Sequence, residues 1–433
     1  MASAGRLRVA VIGAGAAGLC AARHLLARAD TFAPPAVFEL TERVGGTWVY
    51  EDRVGSYDDG RPVLGSMYRD LRTNLPKEVM MFPDFPFDPE LPSFLPHEEV
   101  LSYLERYCIN YCINPHIRFR TQVVEVKPIA SDTEGWGGVI WELTSCDAER
   151  GRHTETFDSV FVCNGHYSEP FIPPVPGLEN FKGTVLHSHS YRSPEPYTGQ
   201  SVVILGAGAS GVDIAMELST VNAQVTLSHG QTPLCCPLPA GVSQVPPVER
   251  VLEDGALQFQ GGEQVRPEVF MLCTGYRFTF PFLGEPELGL RVQDHLISPL
   301  YKYLLPPAFP SLFFIGMCRV ICPFPHFHCQ VQFALAVLEG TVTLLSRAQM
   351  EEEVAQERDG QLAAGVAERH LFRLSSAQWD YARELAQKGG FPALPPVTQS
   401  LYEEVGQQRR QDPRRYRERQ YRLVSDTQWE LVE

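Results

Sequence analysis

Apolar and polar positions along the chain form a series of strands and helices, broken by turn-rich stretches. Arg8–Ile12 is a short apolar run of strand length, and behind its glycine-rich turn apolar residues recur at helical spacing to about Arg28. Pro34 and Pro35 end that unit, and Val37-Phe38-Glu39 returns as a second strand. Residues 41–97 hold many turn formers. Val100, Leu101, Leu104, Tyr107 and Cys108 share one face of a helix expected from Glu98 to Cys112. Strand-like runs follow at 117–126, 138–144 and 159–163. The proline-rich stretch 168–198 reads as a linker into a second unit. At Ser201 the opening pattern returns, with an apolar strand to Leu205, a glycine turn and a helix to about Thr220. Val269–Cys273 and Leu312–Ile315 are further strands, and the remainder reads as mainly helical, at 331–346, 349–358 and 375–387.

The return is close in residues as well as pattern: VIGAGAAG at 11–18 is echoed by ILGAGASG at 204–211. Gly13-Ala14-Gly15-Ala16-Ala17-Gly18 follows a strand and opens a helix. In such a unit the first glycine makes the tight turn, the second lets backbone approach a pyrophosphate, and the third lets helix and strand pack closely. The helix N-terminus supplies unpaired N–H groups for phosphates. Glu39 lies 21 residues after Gly18, at the end of the next strand, where an acid can accept from ribose hydroxyls. Gly206, Gly208 and Gly211 repeat the context, but their following strand ends in Ser228-His229-Gly230 without a carboxylate. That absence favours NADPH over NADH, and Arg192, Lys302 and Ser228 are candidate donors for its 2′-phosphate. Asp213, near the helix start, could simply complement the helix dipole. Two dinucleotide sites in one chain suggest FAD in the first and a nicotinamide that reduces it in the second.

Composition narrows the class. With 433 residues and a formal charge of −15, the chain is long enough for two domains and too acidic for a nucleic-acid binder. The eleven cysteines are odd in number and scattered, which reads as reduced thiols in the cytoplasm. No apolar run reaches the ~18–20 residues of a membrane span, and the charged tail from Gln407 is no anchor. Arg6 and Arg8 before an apolar run mimic a signal peptide, but the glycines within it favour a folded unit.

Between and after the two turns stand Gly45-Gly46-Thr47-Trp48, the run from Tyr68 through Thr73-Asn74-Leu75-Pro76 to Phe87, Phe181-x-Gly183-x-x-x-His187-x-x-x-Tyr191, and Cys273-Thr274-Gly275-Tyr276. Together these resemble the flavin-containing monooxygenases, closest to the soluble N- and S-oxygenase branch, over nearly the whole chain. The resemblance implies an α/β fold of two Rossmann-like domains. An FAD domain (1–169 and 277–433) would be interrupted by an NADP domain (170–276). It implies that Gly13 to Gly18, Glu39, Thr47 and Trp48 hold FAD. Thr73, Asn74 and Leu75 would lie beside the flavin ring, and Ser210, Gly211, Val212 and Asp213 at NADP. Gln330 would approach the flavin, and His187 would be structural at the domain junction. The implied reaction is NADPH- and O₂-dependent oxygenation of a small amine or thioether through a flavin C4a-hydroperoxide. Asn74 is the candidate catalytic residue, because its amide orients groups without titrating. Tyr191-Arg192, where Baeyer–Villiger relatives carry Trp-Pro, favours heteroatom oxygenation. His328-x-Gln330 departs from a common Glu-x-Gln.

Other readings compete. An NADPH oxidase would release the oxygen as H₂O₂, and a flavoprotein without turnover would act as a redox-dependent binding partner. Cys318/Cys322 or Cys108/Cys112 could serve a disulfide reductase, although neither is a C-x-x-C pair. Cys318, Cys322, His326, His328 and Cys329 are five soft ligands in no common zinc spacing, with Pro323 and Pro325 stiffening a loop between them, so no metal is expected. The assembly is left open, a homodimer being one option.

Overall fold

The computed structural model describes residues 5–432 apart from 59, 61, 131–137, 150 and 235. Two five-stranded sheets, parallel throughout, carry the architecture. The first runs in the order Leu312–Phe314, Ser159–Val162, Val9–Ile12, Ala36–Phe38, Ile117–Arg118. In the register, Val11 stands opposite both Val37 and Phe161. A parallel sheet is covered on both faces, so its strands are largely apolar; VAVI, SVFV and the edge strand LFF are buried throughout. The helix Ala16–Leu26 packs against helix Pro323–Leu338, which in turn packs on helix Gln378–Gly389.

The second sheet runs Val242–Val245, Gln224–Ser228, Ser201–Leu205, Val269–Leu272, Thr184–His187. Its core of Val202, Ile204, Ile214, Leu218, Val225 and Met271 also takes in Tyr68, with Leu71 packed against it. A loop of the first segment thus completes the core of the second.

Several expectations are corrected. The stretch 168–198 is no free linker: it contains Thr184–His187, paired along the edge of the second sheet. The run 117–126 is two strands. Arg120 turns the chain at φ 53°, and Thr121–Ala130 then pairs with Val139–Asp147 and Gly151–Phe157 in an antiparallel meander. The third of these, GRHTETF, carries no apolar alternation to betray it. The helix expected at 331–346 is Pro323–Leu338. Pro323 and Pro325 sit in its first turn, where a missing N–H breaks no helical bond, so they start the helix and do not stiffen a loop. The tail forms a helix, Pro396–Gln411, and a hairpin of Gln420–Ser425 with Gln428–Val432. Among the described residues no helix is long and apolar enough to cross a membrane.

Candidate active site

The two glycine turns have nearly the same geometry. Gly13 and Gly206 adopt φ 104° and 108°, values open to glycine alone at this tightness. A Cβ on Gly18 would lie 1.8 Å from Gly13 O, and one on Gly211 1.9 Å from Gly206 O, so both helices rest directly on the turn. Both helices, Ala16–Leu26 and Ala209–Ser219, start without a side-chain cap or an acid in the first turn. Uncapped N–H groups at the carboxyl ends of parallel strands suit a pyrophosphate. The turns differ in cover. Gly15 faces Gly46, whose Cα lies 3.5 Å from the place of a Gly15 Cβ, whereas a Cβ on Gly208 would meet nothing within 4 Å. A prediction follows from that contrast. Gly211→Ala should reduce both thermal stability and NADPH affinity, while Gly208→Ala should leave stability unchanged and raise the NADPH Kd about tenfold or more. Melting curves and NADPH titrations on the two variants check it, and equal effects in both assays would contradict the geometry.

Around the first turn, Glu39 is buried and accepts from Ala14 N at 2.8 Å and from Thr41 N and Oγ1, each at 2.8 Å. These bonds fix the carboxylate at the strand end while leaving lone pairs for ribose hydroxyls. Gly46–Trp48 is a single 3₁₀ turn, with Trp48 half-buried against the main core and Thr47 exposed.

Around the second turn, Gly208 and Ser210 are exposed, Val212 is half-buried and Gly211 is buried. The three proposed phosphate donors are corrected. Arg192 spends its guanidinium on five backbone carbonyls, those of Glu51, Arg53, Gly65, His189 and Tyr191. Lys302 is held by Glu384 at 2.8 Å and Glu353 at 3.5 Å. Ser228 Oγ donates to Pro246 O and accepts from Val248 N, both at 2.9 Å. Asp213 is corrected as well. Its carboxylate accepts from Arg417 Nη1 at 2.7 Å and Nη2 at 2.9 Å and from Tyr68 Oη at 2.7 Å, so it is neither a mere dipole partner nor free for a ribose.

Arg417 is the residue that sequence reasoning missed. Its Nε donates to Thr73 O at 3.0 Å and its Nη2 to Arg72 O at 3.3 Å. One guanidinium from the tail therefore joins the helix after the second turn to the backbone just ahead of Asn74. No spacing could signal this, because Arg417 and Asp213 lie 204 positions apart. Thr73 is buried and bonded to Leu95 through both N–H and Oγ1. Leu75 packs on the cluster of Val79, Phe94, Trp379 and Tyr416. Thr73 Oγ1 and Lys77 Nζ are paired, as is Oε1 of Glu78, whereas the half-buried Asn74 amide has no bonding partner among the described residues.

His187 Nδ1 accepts from His189 N at 3.0 Å, which places its proton on Nε2, the donor to Gly275 O at 3.0 Å. Burial holds the imidazole down to about 4, so it is a neutral tie between two strand ends. Tyr191 is buried and donates to Glu217 Oε2 at 2.8 Å. Burial pushes Glu217 up to about 7, with Asp70 and Asp213 adding to it. A carboxyl raised in the folded state favours folding while protonated, and that contribution is lost as pH rises from the ordinary value through about 7. Wild type should therefore lose about 1 kcal/mol more stability than Glu217→Gln between pH 5.5 and 8, the full shift being discounted about twofold for partial exposure. Parallel denaturant curves for the two proteins check it.

Gln330 is fully buried, accepting from Gly316 N at 2.8 Å and donating to Tyr381 Oη at 2.9 Å. Its amide holds the turn after Leu312–Phe314, so the expected approach of this side chain to the flavin is corrected to a supporting place. The soft-ligand cluster is divided. Cys322 Sγ bonds Val79 O at 3.0 Å, and the His326 ring lies 5.2 Å from that of Tyr381. Burial raises the Cys318 and Cys322 thiols well above their ordinary range, and both are free. His328 instead meets Cys20 and His24, their ligand atoms within 4.8 Å of one another. Arg23 Nη1 lies 3.1 Å from His24 Nδ1, which must accept, so His24 Nε2 keeps the proton and donates to His328 Nδ1 at 3.2 Å.

Two glycine turns, one at the carboxyl end of each parallel sheet, define a two-dinucleotide flavoprotein of the kind reduced by a nicotinamide. The flavin-binding monooxygenase-like family matches residues 6–235 and 234–430, and the chain belongs to that family. It is 37% identical over 431 residues to flavin-containing monooxygenase FMO GS-OX-like 4 of Arabidopsis thaliana, covering 95% of this chain and 93% of that one. Its fold is similar to S-allyl-L-cysteine S-oxygenase from Allium sativum, with TM-score 0.86, 36% identity and 96% of each chain covered. It is also similar to Tmm from Pelagibacter sp. strain HTCC7211, with TM-score 0.84 and 28% identity over 98% of this chain and 96% of that one. The protein is an FAD-dependent monooxygenase that draws its electrons from NADPH.

Proposed function

We propose that the chain oxygenates small thioethers at sulfur, with tertiary amines as the second substrate class. In this reading residues 1–169 and 277–433 form the FAD domain and 170–276 the NADP domain. The turn Gly13–Gly18, Glu39, Thr47 and Trp48 hold FAD, and Gly206, Gly208, Ser210, Gly211 and Val212 hold NADPH. When bound, the cofactors supply hydride and the activation of O₂. The protein supplies the rest: it aligns the two rings, excludes water and holds one neutral amide where oxygen transfer takes place.

The observation that carries this reading is the half-buried Asn74 amide, which has no bonding partner among the described residues, beside Thr73, whose side chain is committed to Leu95. An amide that donates and accepts without titrating can orient a reactive oxygen and cannot protonate it. The backbone before it is pinned by Arg417, so the amide's place is set from outside the loop.

Turnover of the FAD-loaded protein with NADPH, O₂ and methyl propyl sulfide tests the function. Sulfoxide close to one per NADPH is expected. Peroxide equal to the NADPH consumed, without sulfoxide, would identify an oxidase instead. No NADPH consumption would leave the redox-dependent binding reading.

A further inference from the structure

Seven arginines and only two acids stand between Gln407 and Arg422, in a chain whose formal charge is −15. A run of like charges repels itself, and the function above uses one of the seven, Arg417. The fold accounts for four more. Arg409 and Arg410 lie in the last turn of helix Pro396–Gln411, where cations complement the negative end of the helix dipole. Arg415 is paired with Glu418 at 3.1 Å, and Arg422 with Glu430 across the hairpin. Arg414 and Arg419 are left: both are exposed, and neither has a carboxylate partner among the described residues. Asp412, the acid nearest to Arg414 in the chain, accepts instead from the backbone N–H groups of Arg414 and Arg415, each at 3.2 Å.

The two unpaired charges are held near the second glycine turn. Tyr416 N donates to Asp412 O at 3.1 Å and Arg419 N to Tyr416 O at 3.4 Å, so the segment is folded tightly. The buried Tyr416 ring lies 5.3 Å from that of Phe94. Between the two free arginines, Arg417 donates to Asp213 Oδ1 at 2.7 Å. Asp213 is the fifth residue of helix Ala209–Ser219, so its Cα stands about 6 Å along the axis from the helix start. Arg414 and Arg419 are three and two residues from Arg417, which keeps their Cα atoms within about 11 Å of its own. Their charges therefore lie on the rim of the turn, no farther than roughly 30 Å from its uncapped N–H groups.

The magnitudes say over what range such charges act. The screening length is about 30 Å at 0.01 M ionic strength and about 4 Å at 0.5 M, so the rim is felt at the turn in dilute salt and not in strong salt. The protein draws its electrons from NADPH, a polyanion. Like a phosphorylated hydroxyl, its 2′-phosphate alone carries about −1.5 to −2 near pH 7. An acidic chain repels such a ligand, and a basic rim beside the site reverses this locally. Arg192, Lys302 and Ser228 cannot supply that attraction, being committed elsewhere.

We propose that Arg414 and Arg419 form a receiving face for NADPH, drawing its phosphates toward the second glycine turn through the field and not through a fixed bond. This rests on the reading that the second turn holds NADPH. Steering of this kind raises the rate of association and leaves hydride transfer within the bound complex alone.

Anaerobic stopped-flow reduction of the FAD-loaded protein by NADPH, far below saturation, gives the second-order rate constant that tests this. Replacing both residues, Arg414→Gln with Arg419→Gln, should lower that constant about tenfold at 0.01 M ionic strength and less than about twofold at 0.5 M. The limiting rate at saturating NADPH and the melting temperature should not move. Arg414→Lys with Arg419→Lys keeps the charges and should match wild type, which a fixed guanidinium contact would not allow. Arg152→Gln with Arg291→Gln makes the same change in net charge on the meander and on the strand Arg291–Gln293, and should cost less than about twofold. No loss in the Gln pair, a loss independent of salt, or an equal loss in the Arg152 and Arg291 control would each overturn the proposal. The reading beneath it is tested apart, by the Gly208→Ala titration. An unchanged NADPH Kd there removes NADPH from the second turn, whereas a raised Kd beside an unaffected Gln pair overturns the receiving face alone.

Discussion

Replacing Asn74 by alanine is expected to cut oxygenated product per NADPH by about 10- to 100-fold while NADPH is still consumed. The magnitude is that of removing one preorganised donor from a water-excluded site. The amide has no bond to lose among the described residues, so the fold should tolerate the change. The missing product should be recovered as H₂O₂, measured in the same reaction, and the melting temperature should stay within a degree or two. Aspartate in the same place is isosteric but titrates and cannot donate when ionised, so Asn74→Asp should uncouple increasingly as pH rises through the carboxyl range. Unchanged product per NADPH in the alanine variant would remove Asn74 from the chemistry.

The second large effect is expected at Arg417. Its side chain is 17% exposed and that of Asp213 24%, so the pair lies between a surface ion pair and a buried one. Arg417→Ala strands a half-buried carboxylate and frees the carbonyls of Arg72 and Thr73. A loss of about 2 to 4 kcal/mol in stability follows, between the small worth of surface pairs and the 3–5 kcal/mol of broken buried ones. Because Asp213 belongs to the helix that starts at the second turn, the NADPH KM should rise about tenfold and product per NADPH should fall. Arg417→Lys retains the charge but loses the forked geometry, so it should recover stability more than coupling. Denaturant curves with steady-state kinetics separate these terms. An Arg417→Ala variant with wild-type NADPH KM and coupling would reduce the contact to a plain stabilising one.

Both glycine turns were legible because each states a backbone requirement in residue type: only glycine accepts φ near 105° at Gly13 and Gly206 or the contact below 2 Å at Gly18 and Gly211. Buried parallel strands were legible for a similar reason, since two covered faces leave no polar position. The strand Gly151–Phe157 was not, being largely exposed and polar. Pro323 and Pro325 misled because proline marks a helix start as readily as a break, and only the packing of Pro323–Leu338 on its neighbours settles which.

Side-chain commitments were the least legible. Arg192 looked available for a phosphate and is spent on five carbonyls; Asp213 looked like a cofactor ligand and is held by Arg417 and Tyr68. A hydrogen-bond donor is free or taken according to what the fold brings within about 3 Å of it, and local spacing carries no such information. Residue order by itself determined the local backbone: two strand–turn–helix units built on glycines, with an acid after the first and none after the second. The tertiary structure alone decided which charged groups meet across the chain, because those contacts join segments hundreds of residues apart and are chosen by packing, not by sequence spacing.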